Sequence, residues 1–309
     1  MTDTARSGPG QAAAGGDPGT AGRALRVACV QMNAGPDIQA NVAAASAMVR
    51  QAQADGATLI GLPENVSAVR MDRARILETA YAEADHPALN AFRDLAAGLG
   101  VHLLVGTLAT RTGDAADGDR AAARSFVIGP DGAIAARYDK IHMFDVDLPG
   151  GESYRESATY RPGTSAVVAD VPPTRLGLSV CYDVRFAYLY RALAQAGAAV
   201  LTVPAAFTRQ TGQAHWHVLL RARAIETGCF VLAPAQTGTH EHGRQTFGHS
   251  LIVDPWGTVL ADGGTEPGVI TATLDLTAVD RARSAIAALR HDRPIGPVVQ
   301  PDGTAAAAE

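Results

Sequence analysis

One short segment, residues 175–183, constrains the fold more than any other part of the chain. Its first six residues (Arg-Leu-Gly-Leu-Ser-Val) are mostly apolar or small, which predicts a buried strand, and a helical pattern begins at residue 184. The polar residues Cys181, Tyr182 and Asp183 lie between the two. A strand that passes directly into a helix is typical of α/β proteins. Such a turn favours negative charge through its backbone N–H groups, so Cys181 has a suitable position for a nucleophile.

The chain has three cysteines, and two interpretations of Cys181 are open at this point. A free cysteine at a strand end is often only a small hydrophobic core residue. Cys29 and Cys229 fit that description better, because both are predicted in mid-strand without polar neighbours that could activate a thiol. The three scattered cysteines form no disulfide framework, and an essential thiolate needs a reducing compartment. We therefore predict a cytoplasmic protein.

Two further polar residues follow predicted strands. Glu64 comes after the apolar run 57–62 and directly after Pro63, so it is expected at the carboxyl end of a strand, where open α/β sheets place their chemistry. Lys140 sits between apolar residues and precedes the loop 145–156. It is either a surface residue whose ammonium reaches solvent or a desolvated ammonium with a functional role.

Three motifs resemble the signatures of the nitrilase superfamily of carbon-nitrogen hydrolases, in that family's order. They are Leu-Pro-Glu at 62–64, Tyr-Asp-Lys-Ile-His-Met-Phe at 138–144 and Cys-Tyr-Asp-Val-Arg-Phe at 181–186. Each motif alone is weak, and the three together are specific. The resemblance runs from about residue 25 to about residue 289, and its later blocks are most similar to the branch that holds deaminated glutathione amidase and ω-amidase. It implies an α/β fold, the four-layer αββα sandwich of the carbon-nitrogen hydrolases.

The resemblance also implies a Cys-Glu-Lys triad with an assisting glutamate. Cys181 would attack an amide carbonyl as a thiolate and form a thioester. Glu64 would be the general base, with a pKa that burial raises towards the working pH. Lys140 and the backbone N–H of Tyr182 would stabilise the oxyanion. Glu156, at the end of the loop after Lys140, matches the assisting glutamate.

Two residues are candidates for substrate binding. Arg185 lies four residues after Cys181, and its guanidinium could bind a substrate carboxylate; a structural ion pair with a buried acid is the alternative. Phe207 follows a predicted strand and belongs either to the pocket wall or to the core. The family usually has Pro-Glu where this chain has Ala187 and Tyr188, which affects the packing or the specificity near the nucleophile.

Nine histidines invite a metal-site interpretation. His215 and His217 fall in a predicted helix. Side chains two residues apart in a helix point in directions that differ by about 200°. Neither the His-Glu-x-x-His nor the Cys-x-x-Cys spacing occurs. The sequence therefore predicts no metal and no cofactor.

Composition limits the classes of partner. A net charge of −5 gives no reason to expect nucleic acid or an acidic membrane surface. No stretch of about eighteen apolar residues is present, so no membrane span is predicted. The expected partners are a small-molecule amide substrate and, because family members usually pair their subunits, a second copy of the chain in a homodimer or larger homo-oligomer.

Composition also divides the chain into three parts. Residues 1–23, rich in Gly, Ala, Pro, Ser and Thr, are predicted to be a disordered extension. Residues 24–290 are predicted to form the carbon-nitrogen hydrolase domain, and 291–309 a C-terminal tail. Strand and helix patterns alternate along the domain, with a largely helical stretch at 72–99, which predicts two sheets flanked by helices.

The predicted function is an amidase that hydrolyses a C–N amide bond of a small carboxylate-bearing substrate, deaminated glutathione first, through a cysteine thioester. The alternatives within the same chemistry are ω-amidase and N-carbamoyl amidohydrolase. The alternative that is not an enzyme is a catalytically inactive binding or scaffold protein on the same fold. Four ionisable groups at strand ends argue against an inactive protein, because a scaffold has no need of them.

Overall fold

The computed structural model describes residues 24–149 and 151–297. They form an α/β fold with two large sheets. The first has eight strands, numbered here in chain order over the whole chain: β1 (Ala24–Gln31), β2 (Leu59–Gly61), β3 (Tyr81–Ala82), β4 (His102–Arg111), β5 (Ala121–Ile128), β6 (Ile134–Asp139), β9 (Tyr160–Arg161) and β18 (Gly268–Asp275). Its main path is β18-β1-β2-β4-β5-β6, and the central strands β1, β2 and β4 are parallel.

The second sheet has six strands in the order in which they pair: β10 (Val167–Val171), β11 (Thr174–Leu178), β12 (Val200–Thr202), β13 (Phe230–Ala233), β16 (Leu251–Val253) and β17 (Val259–Asp262). Strands β11, β12 and β13 are parallel and lie in its centre. Two short hairpins lie outside the sheets, β7 (Asp145–Asp147) with β8 (Ser153–Arg155), and β14 (Thr237–Thr239) with β15 (Gln245–Phe247).

Helices α1 (Ile38–Ala54) and α3 (Pro87–Leu99) pack on the first sheet, and α4 (Ala187–Gln195) and α5 (Arg209–Thr227) pack on the second. Two shorter helices are α2 (Arg73–Glu78) and α6 (Thr277–Ala285). One apolar cluster joins α1 and α3 to the first sheet, through residues such as Val49, Phe92 and Val30. A second cluster fills the space between the sheets and continues under α4 and α5, through residues such as Val27 and Leu220. The layers are thus helix, sheet, sheet and helix, which confirms the predicted four-layer αββα sandwich.

The prediction of a largely helical stretch at 72–99 is confirmed, although the stretch is divided into two helices. Asp72 caps α2 by accepting a hydrogen bond from the Arg75 backbone N–H at 3.0 Å, but that helix ends at Glu78. The short strand β3 and a 3₁₀ turn at Glu83–Asp85 follow. His86 has extended backbone angles because it precedes Pro87, and α3 begins only at that proline.

Three further predictions need correction or lie outside the described residues. The loop 145–156 contains the hairpin β7–β8, and the outer strands β10 and β18 were not predicted. Residues 1–23 of the predicted extension and 298–309 of the predicted tail lie outside the described part of the chain. Within the described ranges, no helix has the length and apolar character needed to cross a bilayer.

Gly106 brings strand β4 close to the segment that carries Glu64. A Cβ atom at this position would lie 2.3 Å from the carbonyl oxygens of both Leu62 and Pro63. The pairing register of β4 with β5 shifts between Val105 and Leu108, so the strand is irregular here. Only glycine allows this approach, because the obstructing atoms are backbone atoms that cannot rotate away.

We predict that Gly106→Ala destabilises the protein and reduces its activity. The added methyl group must push the Pro63-Glu64 segment away from β4, at a cost of about 1–3 kcal/mol in the free energy of unfolding. Gly98→Ala is the matched control, because Gly98 lies in α3 and a methyl group added there would have no atom within 4 Å. It should be neutral or stabilising in the same thermal and urea melts. Equal melting behaviour of the two variants would contradict this account.

Candidate active site

Polar groups at the carboxyl ends of the parallel strands meet at one edge of the sandwich. Glu64 follows β2, Cys181 follows β11, Ala206 follows β12 and Gln236 follows β13. Lys140 comes directly after β6, at the same edge. This is the edge at which α/β sheets hold their ligands, and it brings residues that are far apart in the chain into contact.

The Lys140 ammonium lies between two carboxylates. Its Nζ donates to Glu64 Oε1 at 2.9 Å and to the two carboxylate oxygens of Glu156 at 2.8 and 2.9 Å. Lys140 is 2% exposed and Glu64 4% exposed. Because the ammonium is almost inaccessible to water and Glu156 is mostly buried, Lys140 is a desolvated ammonium with a full set of acceptors, and its interpretation as a surface residue whose ammonium reaches solvent is excluded.

Backbone and side-chain donors fix both carboxylates. Glu64 Oε2 accepts from the Ala206 N–H at 2.7 Å, and the Cys181 thiol lies close enough to this carboxylate to lower its pKa. Gln236 Nε2 donates to the Glu64 backbone carbonyl at 3.0 Å. Glu156 Oε2 accepts from the Phe144 N–H at 2.6 Å. The carboxylates are therefore held in one orientation before any substrate arrives.

Cys181 sits at a tight turn that strains its backbone. It has φ of 50°, in the left-handed region that non-glycine residues rarely adopt, and its N–H donates to Pro204 O at 2.9 Å. A 3₁₀ helix, Cys181–Arg185, starts here, and α4 begins after Phe186. Strain of this kind is common where a nucleophile is presented on a sharp strand-to-helix turn.

Asp183 holds this turn in place, a role that the sequence did not predict. Its Oδ2 accepts from the Val180 N–H at 2.8 Å and from the Tyr138 hydroxyl at 2.7 Å. Its Oδ1 accepts from the His142 N–H at 3.0 Å and contacts that ring's Nδ1 at 2.6 Å. Asp183 is fully buried. The carboxylate thus ties the nucleophile's turn to the segment that carries Lys140.

The charges of the cluster shift its pKa values in different directions. Burial raises the pKa of the Cys181 thiol well above its usual value, and the Glu64 charge adds to the effect. Burial would lower the pKa of Lys140, but Glu156 and Glu64 outweigh it and hold that pKa well above the usual value. Burial raises the pKa of Glu156 above its ordinary value.

The expected rise in the pKa of Glu64 does not occur. Burial acts in the raising direction, but the Lys140 charge and hydrogen bonds from Lys140, Cys181 and Ala206 outweigh it, and the pKa falls below its ordinary value. The resting pair is therefore a neutral thiol beside an ionised carboxylate. A neutral resting thiol is compatible with the expectation that Glu64 takes the proton of Cys181 during the reaction.

A cavity of about 180 Å³ opens onto these groups. Glu64, Lys140, Glu156, Cys181 and Tyr182 all line it. Phe207, predicted as a wall or core residue, lines it too. Other parts of its wall come from the segment before α2, the hairpin β7–β8, and the start of α5.

Three arginines also line the cavity, and the sequence did not single them out. Arg155 is neutralised by Asp147, at 2.8 Å. Arg244 donates from Nη2 to Ala206 O at 2.9 Å and lies over the Tyr154 ring at 5.6 Å. Arg70 donates to Pro36 O at 2.7 Å. The Nε atoms of Arg70 and Arg244 are buried and have no hydrogen-bond partner within the described structure, so both have donor capacity left for a ligand.

Arg185, the other predicted substrate-binding residue, lies behind the cavity wall. Its guanidinium is 5.7 Å from the Tyr182 ring and 5.4 Å from the Phe207 ring, and Nη1 lies 3.3 Å from His215 Nδ1. Asp183 bonds to other groups, so the structure does not form the ion pair proposed as the alternative. Arg185 is therefore placed to support the two aromatic rings that line the cavity.

The unusual Ala187 and Tyr188 lie on the outer side of the nucleophile's turn. Ala187 is the first residue of α4, the position that suits proline. Tyr188 is 66% exposed, its hydroxyl contacts His142 Nε2, and its ring meets Phe186 at 6.1 Å. The His142 ring in turn stacks on Phe186 at 3.5 Å. This departure from the family pattern thus affects packing behind the turn and leaves the cavity lining unchanged.

The other two cysteines are far from these carboxylates in the fold. Cys29 lies within β1 and is fully buried. Cys229 precedes β13 instead of lying in mid-strand, and Arg283 Nη2 approaches its sulfur at 3.0 Å, so the prediction that it has no polar neighbour is wrong. Burial nevertheless raises the pKa of both thiols.

Lys140 is the only lysine in the 309-residue sequence; every other basic side chain of the Lys/Arg class is an arginine. An ammonium is compact and points its three donors in separate directions, whereas a guanidinium is a broad planar fork. Three oxygens at 2.8–2.9 Å on two different side chains match the ammonium. The chain therefore uses its single lysine where the geometry needs one.

Comparisons with known proteins agree with this geometry. The carbon-nitrogen hydrolase family profile matches residues 26–284. The chain is 41% identical over 272 residues to the deaminated glutathione amidase of Synechocystis sp., covering 85% of this chain and 96% of that protein.

Solved structures agree with the same assignment. The Caenorhabditis elegans NitFhit protein matches with a TM-score of 0.81 and 37% identity, covering 87% of this chain and 65% of that one. The chain thus spans about two thirds of NitFhit. A mutant of the Nesterenkonia sp. AN1 amidase, with acrylamide added to its active-site cysteine, matches with a TM-score of 0.71 and 27% identity, covering 85% of this chain and 98% of that one. This chain belongs to the carbon-nitrogen hydrolase family, within the nitrilase superfamily.

Proposed function

We propose that this carbon-nitrogen hydrolase cleaves deaminated glutathione, and that it does so through a thioester on Cys181. The observation that carries the mechanism is the buried contact of Glu64 with both the Cys181 thiol and the Lys140 ammonium. The substrate rests on similarity to relatives named deaminated glutathione amidase and on the cations of the cavity.

In the first half-reaction, Cys181 Sγ forms a bond to the amide carbonyl carbon while its proton passes to Glu64. The carbonyl oxygen becomes an oxyanion, which Lys140 and the Tyr182 N–H stabilise. The C–N bond then breaks, and Glu64 gives its proton to the leaving nitrogen. The products of this step are a free amine and a thioester, and Glu64 is again a carboxylate.

The second half-reaction uses the same groups. Glu64 removes a proton from a water molecule, whose oxygen attacks the thioester carbonyl carbon, and the same donors hold the second oxyanion. The C–S bond breaks and the proton returns to sulfur, which releases a carboxylic acid. The lowered pKa of Glu64 suits both steps, because a base must be ionised at rest to accept a proton.

Glu156 acts on the reaction through Lys140. It does not bond to Cys181, but it takes two of the hydrogen bonds of the Lys140 ammonium and helps to keep that pKa high. Two carboxylates around one ammonium would leave an excess negative charge in a buried site. Burial and the Glu64 charge accordingly raise the pKa of Glu156.

The arginines of the cavity support a substrate with a carboxylate on its leaving group. Deaminated glutathione has a carboxylate at each end, whereas the ω-amidase substrate α-ketoglutaramate releases only ammonia. Arg244 bonds to the Ala206 carbonyl, and the N–H of the same residue bonds to Glu64, the proton donor to the leaving nitrogen. Arg244 thus lies on the leaving-group side, where a charge-assisted hydrogen bond would hold the distal carboxylate.

We predict that Arg244→Gln impairs turnover of deaminated glutathione but not of α-ketoglutaramate. The value of kcat/KM for deaminated glutathione should fall about 10- to 100-fold, as expected for loss of one hydrogen bond to a charged group, and the value for α-ketoglutaramate should change little. Arg50→Gln, on the exposed face of α1, is the control. An N-carbamoyl amino acid tests the third substrate class. Wild-type turnover of α-ketoglutaramate alone would refute the proposed substrate, and an equal loss on both amides would refute the role of Arg244.

We predict that Lys140→Ala lowers kcat by about two to three orders of magnitude, because it removes an oxyanion donor. Lys140→Arg should be nearly as inactive, since the wider guanidinium cannot occupy the space between Glu64 and Glu156. Circular dichroism checks that each variant folds. Retention of more than about a tenth of wild-type kcat by a folded Lys140→Ala protein would show that the role assigned to this lysine is wrong.

We predict that Glu64→Gln abolishes turnover but makes the Cys181 thiol more acidic. Burial and the Glu64 charge raise the pKa of the thiol and Lys140 lowers it, so neutralising Glu64 removes one raising effect and keeps the lowering one. The ultraviolet absorbance of the thiolate should therefore appear at lower pH than in wild type, while turnover is lost with the base. Glu226→Gln, outside the cavity lining, is the control. A thiolate signal that appears at the same pH in both variants would contradict the proposed charge coupling.

A further inference from the structure

A second cluster of polar side chains lies where α5 meets the β16–β17 hairpin. His217 belongs to α5, His249 lies just before β16, and Asp262 ends β17. His217 Nε2 is 3.0 Å from Asp262 Oδ2, and His249 Nδ1 is 2.9 Å from Asp262 Oδ1. The catalytic cavity does not include any of the three. All three side chains are partly exposed, between 25% and 35%, so solvent reaches them.

These atoms have the chemistry and spacing of metal ligands. One atom from each residue, two imidazole nitrogens and one carboxylate oxygen, lies within 4.8 Å of the others. A central ion at about 2.0–2.2 Å from each atom is compatible with that spacing after small side-chain movements. Two imidazoles and a carboxylate suit Zn²⁺ and similar borderline divalent ions, and leave further coordination positions for water.

The surroundings hold two of the three ligands in orientation. His249 has φ of 51°, an uncommon conformation for a non-glycine residue, and its ring stacks on Phe247 with a centroid distance of 4.4 Å. The backbone N–H of Gly264 donates to Asp262 Oδ1 at 2.9 Å. Hydrogen bonds that fix metal ligands are typical of metal sites, because they lower the cost of arranging the ligands.

Asp262 is ready to act as an anionic ligand. Its Oδ1 accepts a hydrogen bond from the Gly264 N–H at 2.9 Å, and an aspartate carboxylate is ordinarily ionised at neutral pH. It can neutralise part of the charge of a divalent ion.

We propose that His217, His249 and Asp262 form a binding site for Zn²⁺ or a similar divalent ion, separate from the catalytic centre. In the metal-free protein each imidazole proton can point to Asp262. The ion takes the place of both protons, which move to the other nitrogen of each ring, so the imidazoles stay neutral. Three separate segments supply the ligands, and the ion links α5 to the β16–β17 hairpin.

The link reaches the wall of the catalytic cavity through one side chain. Trp216, next to His217 in α5, donates from Nε1 to the His249 carbonyl at 2.8 Å. Its ring packs against Phe207 at a centroid distance of 4.9 Å, and Phe207 lines the cavity. A bound ion therefore stiffens the support of that wall, and takes no part in bond breaking.

Isothermal titration of the full chain with Zn²⁺ alone tests the site. The titration uses protein without a histidine tag and in the Cys181→Ala background, so that zinc cannot bind the nucleophile. We expect one ion per chain and a higher melting temperature with zinc. His217→Ala and Asp262→Asn should each weaken binding by at least about tenfold and remove the thermal shift. Co²⁺ should give visible absorption bands that both variants lose.

A control and a check of folding make the result decisive. His242→Ala removes a histidine that is 68% exposed and lies outside the cluster, and it should bind zinc like the parent. Asp262→Asn preserves size and should melt like the parent when a chelator is present. Absence of zinc binding by the parent at micromolar concentration, or equal affinity of the parent and both cluster variants, would overturn the proposal. Neither outcome bears on the amidase, which is assayed separately in chelator.

Discussion

The buried Lys140 ammonium is the interaction on which the site depends. It lies between two carboxylates in a region with almost no solvent, where each charge alone would be costly. Removing Lys140 would leave two buried carboxylates without a counter-charge, so the arrangement depends on the ammonium. The same compensation fixes the working charges, with an ionised Glu64 beside a neutral Cys181 thiol.

The catalytic unit is assembled across the two sheets. Glu64 and Lys140 follow strands of the first sheet, while Cys181 and Ala206 follow strands of the second. The apolar cluster between the sheets therefore helps to set the distance from Glu64 to Cys181. Asp183 adds a polar connection, because it bonds to both Tyr138 of β6 and the turn at Cys181. In this molecule the packing of the core therefore also fixes the relative positions of the site residues.

The sequence predicted the layered α/β fold and the residues that converge, because strand ends and a polar residue after an apolar run are local signals. It did not predict contacts made by residues far apart in the chain. Gln236 and Arg244 reach Glu64 and Ala206 only in the folded protein. Nor did the sequence predict where the largely helical stretch 72–99 is interrupted: α3 begins only at Pro87, because that proline imposes extended backbone on His86. The predicted direction of the Glu64 pKa was wrong, because burial was considered without the opposing charge of Lys140.

The use of a single lysine has a practical consequence. Lys140 carries the only side-chain amine of the chain, and it is 2% exposed. Reagents selective for primary amines do not modify arginine, so the surface offers them no competing side chain. A reagent can reach this amine through the cavity that Lys140 lines. The rate at which Lys140 is modified therefore measures how accessible that cavity is, for example with and without a bound ligand.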